Sequence, residues 1–137
     1  MWSASPRRRS CSATTSSRTA AGGPIRRGTN TAKLGRWERA NPEPTDAAGP
    51  KQLGDASSGS FDLVTGALAA GGAGIDDLDG GVTSILSPVI TIAAEGKVTL
   101  SLAYYFAHGD TSSEADFFRV TVLGAASRVV IEERGRP

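Results

Sequence analysis

The chain has 137 residues, a hydrophobic share of 39% and 17 glycines, which is one domain's worth with room for one modest core. No run approaches the ~18 uninterrupted apolar residues of a membrane span, and a single cysteine, Cys11, excludes an internal disulfide. The net charge of +1 conceals a split: Arg7, Arg8, Arg9, Arg18, Arg26, Arg27, Lys33 and Arg36 precede every acidic residue, and the other seven cations share the remainder with all 14 acids.

Two compositions therefore meet near Leu34, which marks a boundary between segments of different kinds. Residues 1–33 hold few large apolar side chains beyond Trp2 and Ile25. Such a stretch cannot bury enough surface to offset chain entropy, so a disordered basic, low-complexity arm is expected. No apolar h-region follows the arginines, which speaks against a secretory or twin-arginine signal. The Arg/Ser-rich, acid-free composition also resembles an organelle transit peptide. A nucleic-acid arm would use the arginines on phosphates, but no interleaved aromatics support base stacking. The abrupt change also fits a stretch outside the native reading frame.

From Leu34 onward the punctuation is dense: "ANPEP", "AGP", "SSGS", "AGGAG", "DGG", "AEG" and "HGD". Short β-type runs lie between these turn signals. "LVTGALAAG" (63–71) has some helical character, but its glycines argue against a helix. "TSIL" (83–86) and "VITI" (89–92) flank Pro88, which cannot donate to a ladder; this is an edge strand or two segments with a break. "VTLSLAYYF" (98–106) alternates, with Val98, Leu100, Leu102, Tyr104 and Phe106 on one side and Thr99, Ser101, Ala103 and Tyr105 on the other. "FFRVTVL" (117–123) places Phe118, Val120 and Val122 opposite Arg119 and Thr121. "SRVVIEE" (127–133) follows after "GAAS", which predicts a hairpin. The predicted class is all-β, a sandwich, with Leu100, Leu102, Tyr104, Phe118, Val120 and Val122 as its core.

The candidate sites are few. His108, the one histidine, lacks the spaced N/O partners of a zinc site. No Gly-x-Ser-x-Gly elbow supports a serine nucleophile, and Cys11 falls in the arm. "GALAAGGAG" has no Lys-Ser/Thr after it and is not a phosphate loop. Catalysis is not visible. "DDLDGG" fails the helix–loop–helix calcium pattern: with Asp77 first and Asp79 third, Val82 stands at the glycine position and Pro88 at the closing Glu. Two readings remain open, a non-helical calcium site on Asp77 and Asp79, and ordinary turn chemistry. Trp37, Tyr104 and Tyr105 are either core aromatics or a stacking platform.

"GRWERANPEPT" (35–45), "GPKQLGDASSGSFDLVTG" (49–66), "DLDGGVTSILSPVI" (77–90) and "LAYYFAHGDTSSEADFFRVTVLG" (102–124) stand in this order. Together they resemble the C-terminal accessory domains of secreted bacterial zinc carboxypeptidases of the carboxypeptidase T type, and similar modules of other secreted peptidases. The resemblance spans about 35–124. It implies a jelly-roll or galactose-binding-like β-sandwich over 34–137, cut before its last strands. It also implies that Asp77, Asp79, Gly80 and Gly81 lead into a strand, and that the catalytic zinc lies in a separate upstream peptidase domain.

The expected function is a non-catalytic accessory module, extracellular with its parent enzyme and requiring no cofactor of its own, with calcium as an optional ion. Its expected partners are that upstream domain and a polysaccharide or cell-wall polymer, with no membrane and no nucleic acid. The alternative is a carbohydrate-binding module of a polysaccharide-degrading enzyme, with Trp37 and Tyr105 as ligand-binding residues.

Overall fold

The computed structural model describes residues 9–11, 26–68, 77–92 and 98–136. These residues form β-strands and turns, with no helix among them. The chain divides into two units, Met1–Tyr104 and Tyr105–Pro137.

In the first unit eight short strands pair two by two, all antiparallel. β1 (Arg9–Cys11) pairs with β8 (Leu102–Tyr104), and β2 (Arg26–Asn30) with β7 (Thr83–Leu86). β3 (Trp37–Ala40) pairs with β6 (Asp62–Thr65), and β4 (Thr45–Asp46) with β5 (Pro50–Gln52). The turn between β4 and β5 follows from its residues. Asp46 accepts a hydrogen bond from the Gly49 N–H on Oδ1 at 3.2 Å, an Asx-type closure. Gly49 takes φ +123°, a conformation that glycine adopts without a Cβ penalty.

The boundary of the arm differs from the compositional expectation. Residues 26–33 are in the sheet region. Past β2, the Thr31 and Ala32 N–H groups both donate to the Val82 carbonyl, at 2.8 and 3.1 Å, and Lys33 N–H donates to Asp79 O at 3.0 Å. Ala32 is 2% exposed. Backbone groups make these bonds, so a stretch poor in apolar side chains can still join a ladder if a partner strand lies beside it. The β-branched run 83–86 is that partner. The rest of the predicted arm lies outside the described residues, apart from β1.

The core also differs from the expected one. Among the described residues the buried hydrophobics are Ala32, Val64 and Ala67, joined by the polar Thr45 and Gln52. None of the six predicted core residues is buried. Leu100 is 52% exposed, and the predicted strand 98–106 shortens to Leu102–Tyr104. Within those three residues the alternation holds: Leu102 and Tyr104 are half-buried and Ala103 is exposed. At 98–100 it is reversed, with Thr99 half-buried and Val98 and Leu100 exposed, since a period-2 face is buried only where another layer covers it. Of the two segments expected around Pro88 only the first is a strand. β7 ends two residues before Pro88, and "VITI" forms no strand.

The center of the first unit is Ala67, just past β6. Its N–H donates to Glu38 Oε1 at 2.8 Å. Its carbonyl accepts from the Glu43 N–H at 3.0 Å and from Gln52 Nε2 at 3.1 Å. Gln52 Nε2 also donates to the Glu43 carbonyl at 2.7 Å. One buried residue thus ties β3, the β3–β4 connection, β5 and β6 together. Gly35 closes the other side. Its φ is +65°, and a Cβ there would lie 2.4 Å from the Leu78 backbone, so only glycine fits this approach.

In the second unit β9 (Phe117–Val122) pairs with β10 (Arg128–Arg134), the predicted hairpin. A register shift between Val129 and Ile131 makes Val130 the extra residue of a bulge. One face carries half-buried Phe118, Val120 and Ile131, with the Phe106 ring stacked 6.5 Å from Phe118. The other face is ionic. Arg119 Nε sits 2.9 Å from Glu132 Oε2, and Arg134 Nη2 2.6 Å from Glu132 Oε1. The Arg119 guanidinium lies 4.8 Å from the center of the Phe117 ring.

Gln52→Ala should destabilise the chain by about 1–3 kcal/mol, because the Glu43 carbonyl loses its Gln52 donor and the Ala67 carbonyl one of its two. Urea unfolding followed by tryptophan emission measures this, and an unchanged midpoint would remove Gln52 from the center of the fold.

Candidate functional site

The first unit has an open concavity of about 280 Å³ where the segment 33–38 faces 66–68. Lys33, Arg36, Trp37 and Glu38 line one side, and Ala67 and Leu68 the other. Local chemistry explains the placement. The Leu34–Asp79 bridge and the positive φ of Gly35 turn the chain sharply between Lys33 and Arg36. β3 then begins at Trp37, whose N–H donates to Thr83 Oγ1 at 3.3 Å. Trp37 is half-buried, and Lys33 and Arg36 are exposed. The Lys33 stem packs on Gly80, where a Cβ would come within 3.0 Å of Lys33 Cδ. Among the described residues neither Lys33 nor Arg36 forms an ion pair. Glu38 is engaged through the Ala67 N–H. The cleft therefore combines an indole with two cations.

The aromatic pair expected as a ligand site falls in different units: Trp37 lines the cleft, and Tyr105 opens the second unit, half-buried. Lys33 and Arg36 were missed because in the sequence they look like the tail of a basic arm. The signal for them is the glycine between them. Gly35 in a left-handed turn brings two cations beside one tryptophan.

Asp77 and Asp79 are both exposed. The Asp79 carbonyl accepts from Lys33 N–H, and Gly80 at φ +66° continues the turn. Among the described residues no group of three or more His, Cys, Asp or Glu gathers as metal ligands. Calcium takes six to eight oxygens; Asp77 and Asp79 offer two exposed carboxylates, and the neighbouring Asp76 lies outside the described residues. Turn chemistry accounts for the geometry present.

His108 has a neighbour that its sequence spacing did not suggest. Ser112 Oγ lies 2.7 Å from His108 Nδ1 and donates to the Arg136 carbonyl at 2.9 Å. Nδ1 also faces the Gly109 carbonyl at 3.3 Å. With the serine proton on the Arg136 carbonyl, Nδ1–H donates to Ser112 Oγ; in the other tautomer Ser112 donates to Nδ1. The pair ties the 105–113 segment to the end of the hairpin.

Glu132 has a clear pKa displacement. Its hydrogen bonds to Arg119 and then to Arg134 hold its carboxyl below the ordinary glutamate value. No described helix is long and apolar enough to cross a membrane.

No protein-family model matches the chain, and no curated protein or solved structure matches it either.

Two outcomes follow from these sites. Millimolar calcium should leave the melting temperature unchanged; a rise that Asp77→Ala abolishes would instead assign an ion to this turn. Because the Glu132 pKa is lowered on folding, its stabilisation is present above the ordinary glutamate value and fades as pH falls through the lowered one. Glu132→Gln should therefore cost most near neutrality. Melting curves of both proteins down the acid range should converge, and a constant difference would disprove the linkage.

Proposed function

We propose that the chain is a non-catalytic accessory β-module of a secreted peptidase, part of a jelly-roll or galactose-binding-like sandwich like those joined to bacterial zinc carboxypeptidases. In this reading it works outside the cell and holds its parent enzyme near polymeric substrate or cell wall. The zinc belongs to the upstream catalytic domain.

The observation that carries this reading is uncovered apolar surface. Val89, Ile90 and Ile92 are 80%, 55% and 57% exposed, and Leu63 in β6 and Val129 in β10 are half or nearly half exposed. Exposed apolar side chains thus recur on each unit taken by itself, and paired strands with open edges accept further strands. A module packed against a larger protein would cover both. The order of the four sequence motifs supports the same parentage. The tie that His108 and Ser112 make to the end of the hairpin supports a structural use for them.

A second reading, the carbohydrate-binding module, is favored by one feature: Trp37 lines a cleft. Both readings are binding functions, and they differ in the partner.

The test searches the locus for a zinc carboxypeptidase frame beside this one and mixes its catalytic domain with the purified chain. Saturable association that slows amide exchange along 117–134 is expected. The chain alone should hydrolyse neither C-terminal peptide bonds nor esters, with or without zinc, and a fluorophosphonate should leave Ser112 unlabelled. Zinc-dependent hydrolysis by the chain alone, or a locus with no such peptidase frame, would overturn the accessory reading.

A further inference from the structure

We propose that the Trp37 cleft binds an acidic sugar ring, a uronic acid residue of a polysaccharide, with the indole against the ring and Lys33 and Arg36 on its carboxylate. The inference rests on the binding-module reading and specifies its ligand.

The size of the cleft sets the first limit. At about 280 Å³ it sits at the low end of the ~300–1,000 Å³ typical of ligand pockets, which suits one ring rather than an extended peptide. The lining sets the second. A tryptophan offers a broad apolar face, which matches a sugar's C–H face. A neutral sugar would need nothing more, yet two cations stand on the same wall.

The cations are placed rather than incidental. Gly35 holds Lys33 and Arg36 in a left-handed turn that no other residue fits without moving the Leu78 backbone. The Lys33 stem is braced on Gly80, which lowers the entropy lost when its ammonium meets a partner. Neither cation is neutralised by an ion pair among the described residues. Glu38 does not reverse the sign of the site, since its carboxylate is held by the Ala67 amide at 2.8 Å and only one of it faces two cations. Arg36 offers the planar fork that meets a carboxylate with two hydrogen bonds, and Lys33 a second charge. Aromatic face plus paired cations is the complement of a flat ring bearing a carboxylate.

The experiment uses the full chain carrying Trp2→Phe, so that Trp37 is the only indole. Its emission is followed during titration with a galacturonate oligosaccharide and with a neutral galactose oligosaccharide of equal length. Saturable change with the uronate, at an affinity at least tenfold above the neutral sugar, is expected. Lys33→Gln with Arg36→Gln should erase that tenfold preference. Both residues are exposed, and far-UV circular dichroism checks that the fold is kept. Equal binding of the two sugars would overturn the acidic-ligand assignment and leave the binding module standing. An acidic peptide that displaces the uronate with equal affinity would overturn the sugar. No change in Trp37 emission with either sugar would overturn the site, while association with the catalytic domain decides the module reading separately.

Discussion

The first unit depends on the hydrogen bonds at Ala67. With so few large side chains buried, apolar burial cannot by itself hold eight short strands. The Ala67 amide and carbonyl reach Glu38, Glu43 and Gln52, and so connect two of the sheets that would otherwise share only the covalent chain. Neutral hydrogen bonds stabilise by about 1 kcal/mol each. Their larger effect here is negative: any rearrangement that moves β5 away from β6 takes the Gln52 donor from the Glu43 carbonyl and leaves the Ala67 carbonyl with the Glu43 N–H alone. A buried glutamine reaching two carbonyls specifies one arrangement over its neighbours. It does so without the large apolar residues this chain lacks at those positions.

The candidate cleft is a by-product of that arrangement. Glu38 points its carboxylate at Ala67 from β3, and this fixes the strand that begins at Trp37. The Gly35 turn fixes the other end. Trp37, Lys33 and Arg36 therefore lie between two anchored points. A binding wall needs such support more than it needs depth, because side chains held in place lose less entropy on binding.

The second half of the chain was more legible in the sequence than the first. Residues 117–134 read correctly because Phe118, Val120 and Val122 alternate with Arg119 and Thr121, and a small-residue turn follows. Those are local signals, and the β9–β10 hairpin is a local structure. β2 was illegible for the opposite reason. "RRGTN" has no apolar period, and its pairing is with residues more than fifty positions away, supplied by the partner's backbone rather than by its own side chains. β4 and β5 are too short to show a period, and they are positioned by Gln52 and the Asp46–Gly49 turn. The core misled because Leu100 has the spacing of a buried strand but no layer above it. Trp37 was legible as an aromatic of interest, whereas the cations beside it became visible only through the turn at Gly35.

The hairpin shows how one chain can combine a stable face with an incomplete one. On its ionic face Arg119, Glu132 and Arg134 satisfy each other, and Phe117 lies under Arg119. That face is suited to water. On the other, Phe118, Val120 and Ile131 are only half-buried, with Phe106 as the described ring beside them. A two-stranded hairpin is marginal alone in water and gains independent stability from a third strand or a covering layer. Spreading charge over one face and apolar side chains over the other gives such a hairpin a definite side from which cover must come. The Val130 bulge adds local twist and interrupts the regular ladder on β10, which weakens that strand as a template for indiscriminate edge pairing. What remains favorable is approach from the apolar face, where a partner buries Phe118, Val120 and Ile131 without disturbing the ion pairs behind them.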